Sequence, residues 1–312
     1  MQCSYTYDEF QIHSGGVPVV LSVWARDSAA TTLVFYPGTM SCPLYYQRFL
    51  QVLVDQGFNV VGLHPLSHGK SPRIKKIFTF EDILGNGRDT LTWAHAHFSG
   101  PVVLAGHSQG GILALAHACG PQNSPLAAVF LLCTLLPDHP RAIEVTLFKP
   151  LARWYKGLLR GICRLARLVP RAPICIPMYL SLFRICHGGK GADLSGGTVR
   201  FSYPLAFIAS LFTTNLEKAT QAGNITCPVD VITARNDALF TQDFMECLFA
   251  QLAARDKKMF IVSGGGHMAP LVPTYAAEIA THIGRRCAEL GLPLHPLCSD
   301  APPNTSVATS IV

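Results

Sequence analysis

A serine in a glycine-rich turn is the residue of this chain best suited to covalent chemistry. Residues 106–110 read Gly-His-Ser-Gln-Gly and follow an apolar stretch at 101–105 that is typical of a strand. Small and apolar residues at 112–118 then predict a helix. A strand that turns abruptly into a helix exposes the side chain at the turn, and flanking glycines keep other side chains out of it. The pattern predicts a nucleophilic Ser108 and an oxyanion-binding amide at Gln109, although such a turn can also simply bind an anion.

Two further residues supply the groups that a nucleophilic serine requires. A serine hydroxyl needs a histidine base, which a carboxylate must orient. Asp237 lies just beyond the predicted strand 229–234, and His267 lies on a glycine loop after the predicted strand 259–262. Reactive groups of parallel sheets gather at the carboxyl ends of the strands. We therefore predict that Ser108 attacks an acyl carbon, His267 takes and returns its proton, and Asp237 fixes the imidazole.

Other residues compete for two of these roles. Asp138 follows the predicted strand that ends at Thr134 and is an alternative acid. Asp230 alternates with apolar residues inside a strand, which makes it a poorer choice. The chain has 12 histidines, and among them His267 is favoured by its place after the last predicted strand.

The elements that must position these side chains alternate along the chain. Predicted strands cover residues 17–25, 31–36, 58–63, 101–105, 126–134, 229–234 and 259–262. Further predicted helices cover residues 45–56, 80–98, 241–254 and 274–290. Alternating strands and helices indicate a parallel sheet with helices on both faces.

Composition narrows the class of protein. The chain has 312 residues, of which 49% are hydrophobic and 14% charged, enough apolar material for a large core. It has no uncharged apolar stretch of the roughly 18 residues that a spanning helix needs, and its N-terminus lacks a basic segment followed by an apolar one. The 11 cysteines contain no Cys-x-x-Cys pair. We expect a cytoplasmic protein, at most peripherally associated with a membrane, that uses no metal and no cofactor.

Three motifs together resemble the α/β-hydrolase fold, especially serine hydrolases similar to monoacylglycerol lipases and lysophospholipases. Residues 106–111 match the nucleophile turn of these enzymes, residues 34–39 stand where the family has a His-Gly oxyanion loop, and residues 63–71 resemble its Asp-x-x-Gly-His-Gly-x-Ser turn. The resemblance covers about residues 17–137 and 225–290. It implies that the amides of Thr39 and Gln109 form the oxyanion hole, with Met40 as the alternative to Thr39.

The chain departs from that family pattern at three places. Tyr36 and Pro37 replace the usual His-Gly lead-in to the oxyanion loop. His64 stands where the second turn has an aspartate, and Ala234 replaces a glycine common before the acid. None of these changes removes a group that the chemistry requires.

A basic segment interrupts the region of resemblance. We predict an α/β core from residues 1–137 and 213–295, a helical cap or lid at 138–212, and a loose tail at 296–312. Residues 138–200 contain eleven Lys/Arg and three Asp/Glu, a net charge of +8, whereas the whole chain carries +6. Seven of these cations recur at helical spacing: Lys149, Arg153, Lys156, Arg160, Arg164, Arg167 and Arg171.

The basic stripe has three interpretations. A basic amphipathic helix with Trp and Leu can lie on an anionic membrane. The same helix can instead cover the active site with its apolar face while its charges face water. Contact with nucleic acid is disfavoured because no base-reading module accompanies the stripe. The first two interpretations place an apolar roof over Ser108, which favours a lipid-like acyl chain.

The sequence thus predicts a serine hydrolase that cleaves carboxylic esters, lipid-like ones in particular, through an acyl-enzyme on Ser108. The same groups could pass the acyl chain to an alcohol or amine, which is acyl transfer, or could cleave small peptides. A degenerate hydrolase that binds a partner through its basic cap is the alternative without catalysis, and it requires a broken geometry between Ser108 and His267.

Overall fold

The computed structural model describes residues 5–120, 125–192 and 199–295. The strands are β1 (Thr6–Ser14), β2 (Val17–Ala25), β3 (Thr32–Tyr36), β4 (Asn59–His64), β5 (Val102–His107), β6 (Ala128–Leu132), β7 (Pro173–Cys175), β8 (Ser202–Pro204), β9 (Val229–Ala234) and β10 (Lys257–Val262). The α-helices are α1 (Gln47–Asp55), α2 (Phe80–His97), α3 (Gln109–Cys119), α4 (Tyr155–Leu168), α5 (Leu182–Cys186), α6 (Leu205–Thr213), α7 (Gln242–Gln251) and α8 (Pro273–Glu289). The predicted tail at 296–312 lies outside the described residues.

Eight of these strands form one sheet in the order β1-β2-β4-β3-β5-β6-β9-β10. The six strands from β4 to β10 run parallel, and β2 joins β4 antiparallel with β1 paired antiparallel at the edge. Strand β5 is central, so the turn that follows it opens at the middle of the carboxyl edge. This is the mostly parallel α/β fold that the alternation of strands and helices predicts.

The predicted strands of the sheet are confirmed, with ends that shift by a few residues. Strands β2 and β9 begin and end where the pattern places them. Strand β1 was not predicted, because residues 6–13 are almost entirely exposed and give no burial signal. It forms by backbone pairing along β2, from Thr6 opposite Ala25 to Ser14 opposite Val17.

The cap, by which we mean residues 138–212, consists of short elements, among them α4, α5, most of α6 and the two-stranded sheet of β7 and β8. The prediction of one helix along the whole basic stripe is wrong. Residues Lys149–Trp154 form a 3₁₀ turn, and α4 ends at Leu168, before Arg171. Pro170 accounts for the end of α4, since a proline disfavours helical backbone at the residue before it.

A buried ion cluster fastens α8 to the sheet and accounts for Asp230. Its carboxylate accepts hydrogen bonds from His282 Nε2 at 2.7 Å and from Arg286 Nε at 3.1 Å. Arg286 also reaches Asp256 at 2.5 Å. Asp230 is thereby a structural carboxylate within the sheet. In the described part of the chain, no helix is long and apolar enough to cross a membrane.

Four buried histidines make the stability of this fold depend on pH. Burial lowers the pKa of His64, His68 and His117 to about 4 and that of His107 to about 3, from an ordinary 6.5. The folded protein therefore keeps them neutral at pH values where the unfolded chain protonates them. Each contributes stability that is fully present above pH 6.5 and is lost as the pH falls towards its folded pKa.

We expect the free energy of unfolding to fall by up to about 1.4 kcal/mol per pH unit for each buried histidine below pH 6.5. Urea titrations at several pH values measure the slope. We expect the variant His117→Leu to have a slope that is smaller by the contribution of one histidine. The Nε2 atom of His117 has no hydrogen-bond partner among the described residues, so the substitution leaves no partner of that atom unpaired. An unchanged slope in this variant would contradict the assignment of His117 as a buried neutral group.

Candidate active site

Ser108 occupies the turn between the central strand β5 and helix α3. Its backbone has φ 55° and ψ −117°, a left-handed conformation that residues other than glycine rarely adopt. The Ser108 amide donates to Leu132 O at 2.8 Å, and its carbonyl accepts from Thr134 Oγ1 at 2.9 Å. Both partners belong to β6 or the turn after it. The neighbouring strand thus holds Ser108 in its strained conformation.

Glycines make that turn sterically feasible. A Cβ atom on Gly106 would collide with the backbone of Gly110, and a Cβ on Gly110 would collide with the carbonyl of Tyr36. Close packing of the strand end against the helix start therefore requires glycine at both positions. These close contacts explain why the sequence has a glycine two residues before Ser108 and another two residues after it.

His267 and Asp237 lie next to Ser108, as the positions of their strands predict. His267 Nε2 lies 3.1 Å from Ser108 Oγ, and His267 Nδ1 lies 3.1 Å from Asp237 Oδ2. The other oxygen of Asp237 accepts the backbone amides of Leu239 at 2.7 Å and Phe240 at 2.9 Å. The Phe240 ring stacks on the imidazole, with the two ring centres 5.1 Å apart. This geometry can transfer a proton from the hydroxyl to the imidazole.

The environment keeps Asp237 ionised despite its burial. Burial alone would raise the pKa of this carboxyl, but the charge of His267 and the hydrogen bonds from the imidazole and from two backbone amides outweigh it, and the pKa lies below its ordinary value. An ionised Asp237 stabilises the protonated form of His267 that appears when the base takes a proton.

His107, inside the serine motif, binds the backbone of His267, a contact that its sequence position alone did not reveal. Burial and the charge of His267 lower the pKa of His107 to about 3, so it is neutral. Its Nε2 donates to the carbonyl of His267 at 3.0 Å, and its Nδ1 accepts from the Tyr46 hydroxyl at 2.8 Å. The amide of Gly38 donates to the same hydroxyl at 3.1 Å. A neutral ring thus joins the loop of the base to the loop after β3.

The backbone amides of Thr39 and Gln109 have no acceptor among the described residues. Gln109 is the first residue of α3, where an amide has no partner within the helix. The hydroxyl of Thr39 donates to Gln109 Oε1 at 2.9 Å, which joins the two segments. The amide of Met40, the predicted alternative to Thr39, is engaged instead by Tyr203 Oη at 2.9 Å.

Asp138, the alternative acid, lies elsewhere in the fold. Its Oδ2 accepts the amide of Leu216 at 3.2 Å, which ties the start of the cap to the chain that leaves it. His64, at the position where the family turn has an aspartate, accepts the amide of Lys70 on Nδ1 at 3.1 Å and contacts Ser22 Oγ at 2.9 Å. A neutral imidazole can therefore accept the hydrogen bond within the turn that a carboxylate would accept.

One group of side chains among the described residues has the proximity of metal ligands. The ligand atoms of Cys133, Asp237 and His267 lie within 4.8 Å of one another. Burial and the neighbouring carboxylate raise the pKa of the Cys133 thiol well above its ordinary value, so it remains protonated. A thiol must ionise to bind a metal, and Asp237 and His267 already bind each other, which disfavours a metal here.

A cavity beside Ser108 contains about 470 Å³ of space free of protein atoms, part of it open to solvent. Its lining is mostly apolar and combines core residues with side chains of the cap: Thr39, Ser108, Gln109, Ile112, Leu135, Pro137, Val145, Tyr179, Leu180, Leu211, Phe212, Leu239 and Phe240. Helix α4 contributes none of them. The expectation that the basic helix itself roofs the active site is therefore wrong, and other parts of the cap supply the roof.

The sequence of residues 33–281 matches the alpha/beta hydrolase family. This chain belongs to that family. Among curated proteins, a putative non-heme haloperoxidase of Mycobacterium phage D29 is 30% identical to this family member over 120 residues. That match covers 38% of the chain and 42% of the phage protein, so the chain spans less than half the length of that relative.

Solved structures share the fold at low sequence identity. Monoacylglycerol lipase of Paleococcus ferrophilus superposes with a TM-score of 0.64 at 17% identity, covering 92% of this chain and 99% of the lipase. Monoglyceride lipase of Saccharomyces cerevisiae, solved with a substrate analogue, gives 0.66 at 14% identity and covers 91% and 95%. An esterase of Pyrococcus furiosus gives 0.58 at 14% identity and covers 91% and 93%. At such identities the likeness shows the fold alone.

The two candidate acids can be separated by substitution. We expect Asp237→Asn to slow phosphonylation of Ser108 by a fluorophosphonate about a thousandfold or more, because an amide neither fixes the reactive tautomer nor stabilises the imidazolium. The matched variant Asp138→Asn should react at nearly the native rate. Time-resolved labelling followed by mass spectrometry measures both. Equal losses in the two variants would contradict the assignment of Asp237.

Proposed function

We propose that this family member is a serine hydrolase that cleaves carboxylic esters of lipid-like acids through an acyl-enzyme on Ser108. The hydrogen-bonded series from Ser108 Oγ through His267 to Asp237 carries the proposal. A degenerate hydrolase has no reason to keep a serine within 3.1 Å of a histidine whose other nitrogen contacts a buried carboxylate. The alternative without catalysis required a broken geometry at this point.

In the proposed mechanism, His267 removes the Ser108 proton as the oxygen attacks the ester carbonyl. The negative charge that develops on the carbonyl oxygen is stabilised by the backbone amides of Thr39 and Gln109. His267 then returns the proton to the departing alcohol, leaving the acyl group on Ser108. A water molecule activated by His267 completes the hydrolysis. An alcohol in place of water would give acyl transfer from the same intermediate.

The cavity beside Ser108 supports the lipid-like substrate. Five of its lining residues come from the cap: Val145, Tyr179, Leu180, Leu211 and Phe212. All of these except Tyr179 have apolar side chains. A mostly apolar lining of this kind suits an apolar ligand. An acyl chain that enters the cavity gains about 0.8 kcal/mol for each methylene removed from water.

We therefore expect kcat/KM to rise about fourfold per added carbon in a p-nitrophenyl ester series until the cavity is full. Ser108→Ala should lose both turnover and fluorophosphonate labelling while keeping its melting temperature. Product analysis in the presence of an alcohol separates hydrolysis from acyl transfer. Turnover that is flat with chain length would reject the lipid-like substrate, and a folded native protein with neither labelling nor turnover would reject the enzyme assignment.

We further propose that the basic stripe of the cap contacts anionic membranes. Residues 149–171 contain seven cations and no carboxylate, and no ion pair to them occurs among the described residues. Beside these cations, Trp154 and Leu168 are 53% and 79% exposed. Exposed large apolar side chains within a basic segment are typical of an interfacial helix.

The basic stripe lies next to the proposed substrate cavity. Lys156, Arg160, Arg164 and Arg167 line an open groove together with Thr213 at the end of α6. The preceding residues of α6, Leu211 and Phe212, line the cavity beside Ser108. Helix α6 thus separates the two, and a lipid held at the groove lies one helix away from the cavity.

Charge removal tests the membrane contact. We expect the triple change of Arg160, Arg164 and Arg167 to Gln to weaken binding to anionic phospholipid vesicles about a hundredfold, since each cation near such a surface contributes about 1 kcal/mol. The charge-matched control replaces the exposed residues Arg73, Lys75 and Lys76 by Gln. Vesicle sedimentation measures both, with neutral vesicles for comparison. Equal binding by the two variants would reject the contact.

A further inference from the structure

The cap binds the loop that carries the proposed oxyanion amide. Two cap residues contact Met40, the residue after Thr39. The Met40 amide donates to Tyr203 Oη at 2.9 Å, and the Met40 carbonyl accepts the backbone amide of Arg200 at 3.0 Å. Both polar groups of the Met40 backbone are thus held by residues about 160 positions later in the chain.

The hydroxyl of Tyr203 has a defined direction. His68 is buried, which lowers its pKa to about 4 and keeps it neutral, and its Nδ1 donates to Leu66 O at 2.8 Å. The other ring nitrogen, Nε2, is therefore an acceptor and receives the proton of Tyr203 Oη at 2.6 Å. The oxygen of Tyr203 is left with its lone pairs towards Met40. A side chain only 1% exposed, stacked on Phe207 at 4.6 Å, has little freedom to turn.

Met40 needs this support because its backbone is strained. Its φ is 70°, a left-handed conformation that costs a methionine of the order of 1 kcal/mol or more. Without the hydrogen bond to Tyr203, rotation of the peptide between Thr39 and Met40 would relieve that strain. That rotation changes ψ of Thr39 together with φ of Met40, so the loop would relax to another conformation around Thr39.

The peptide before Thr39 is held from the other side. The carbonyl of Gly38 accepts both the amide of Ser41 at 3.3 Å and the Ser41 hydroxyl at 2.8 Å. A trans peptide is planar, so fixing the Gly38 carbonyl directs the Thr39 amide to the opposite side. Thr39 thus lies between two anchored peptides, one anchored within the loop and one anchored by the cap.

We infer that Tyr203 is a positioning residue that sets the Thr39 amide for the oxyanion, and that a cap seated on the core is a condition for an active oxyanion hole. The inference rests on the proposed function. Tyr203 acts through Met40. Its loss should therefore lower stabilisation of the transition state and leave ground-state binding of the ester unchanged.

Replacement of Tyr203 by Phe removes the acceptor and keeps the ring. We expect kcat to fall about 10- to 100-fold with KM within about twofold, because complete loss of one oxyanion donor costs about 100- to 1,000-fold. The inhibition constant of a trifluoromethyl ketone ester analogue, which forms an oxyanion on Ser108, should rise in proportion to the loss in kcat/KM.

The matched control is Tyr155→Phe. Tyr155 is another buried tyrosine of the cap, and its hydroxyl donates to Pro137 O at 2.7 Å. The variant Tyr155→Phe also loses a buried hydrogen bond of a tyrosine hydroxyl, but at a position that does not contact the oxyanion loop. We expect a similar drop in melting temperature and near-native kcat. Equal kcat in Tyr203→Phe and Tyr155→Phe, each corrected for active sites by fluorophosphonate titration, would overturn the inference.

A second variant keeps the test decisive if Tyr203→Phe fails to fold. His68→Leu leaves Tyr203 in place but removes the acceptor that directs its hydroxyl, and it should lower kcat in the same sense. His68→Gln supplies another acceptor and should restore part of the loss. Native kcat in folded His68→Leu would overturn the inference. Failure of the proposed function has a different signature, since native protein would then show no activity dependent on Ser108.

Discussion

The strained backbone of Ser108 is the constraint on which the rest of the site depends. A φ of 55° at a serine persists only where surrounding structure holds it, and here strand β6 and the turn after it hold both polar groups of the residue. Gly106 and Gly110 let the strand end and the helix start approach closely enough for this. The same turn exposes the hydroxyl and leaves the first amide of α3 without a partner. The exposed hydroxyl of Ser108 and the unpaired amide of Gln109 are thus two consequences of one local conformation.

The remaining groups converge because parallel strands end at one edge. Asp237 and His267 follow β9 and β10, and the loops after these strands carry them back to β5, whose turn bears Ser108. Neutral His107 then joins the base loop to the loop after β3. A second neutral histidine, His68, directs the hydroxyl that binds Met40. Burial keeps both rings neutral, and this defines which nitrogen donates and which accepts.

The cap has two separate parts in this structure. Residues around Tyr179 and α6 roof the cavity, whereas α4 packs on α6 and leaves Leu168 largely exposed. An amphipathic pattern cannot distinguish these cases, because a helix that covers a site and a helix that faces a membrane have the same periodicity. The position of α4 on the far side of α6 supports the membrane contact proposed above. The basic groove and the cavity beside Ser108 both border α6.

The sequence alone determined the strand, turn and helix around Ser108, since glycine spacing and apolar runs are local signals. It also located Asp237 and His267 after strands that end at the same edge as β5, because strand ends can be located from apolar patterns and parallel strands share an edge. Only the tertiary structure shows that the Met40 amide is engaged, which leaves Thr39 as the proposed oxyanion donor. The amide of Met40 is taken by a tyrosine 163 residues away, and no local pattern encodes such a contact. Contacts between distant segments likewise explain three other features. Strand β1 forms by pairing with β2, Asp138 accepts the backbone amide of Leu216, and α4 does not line the cavity. Each of these depends on which distant segments meet, and that is a property of the folded chain.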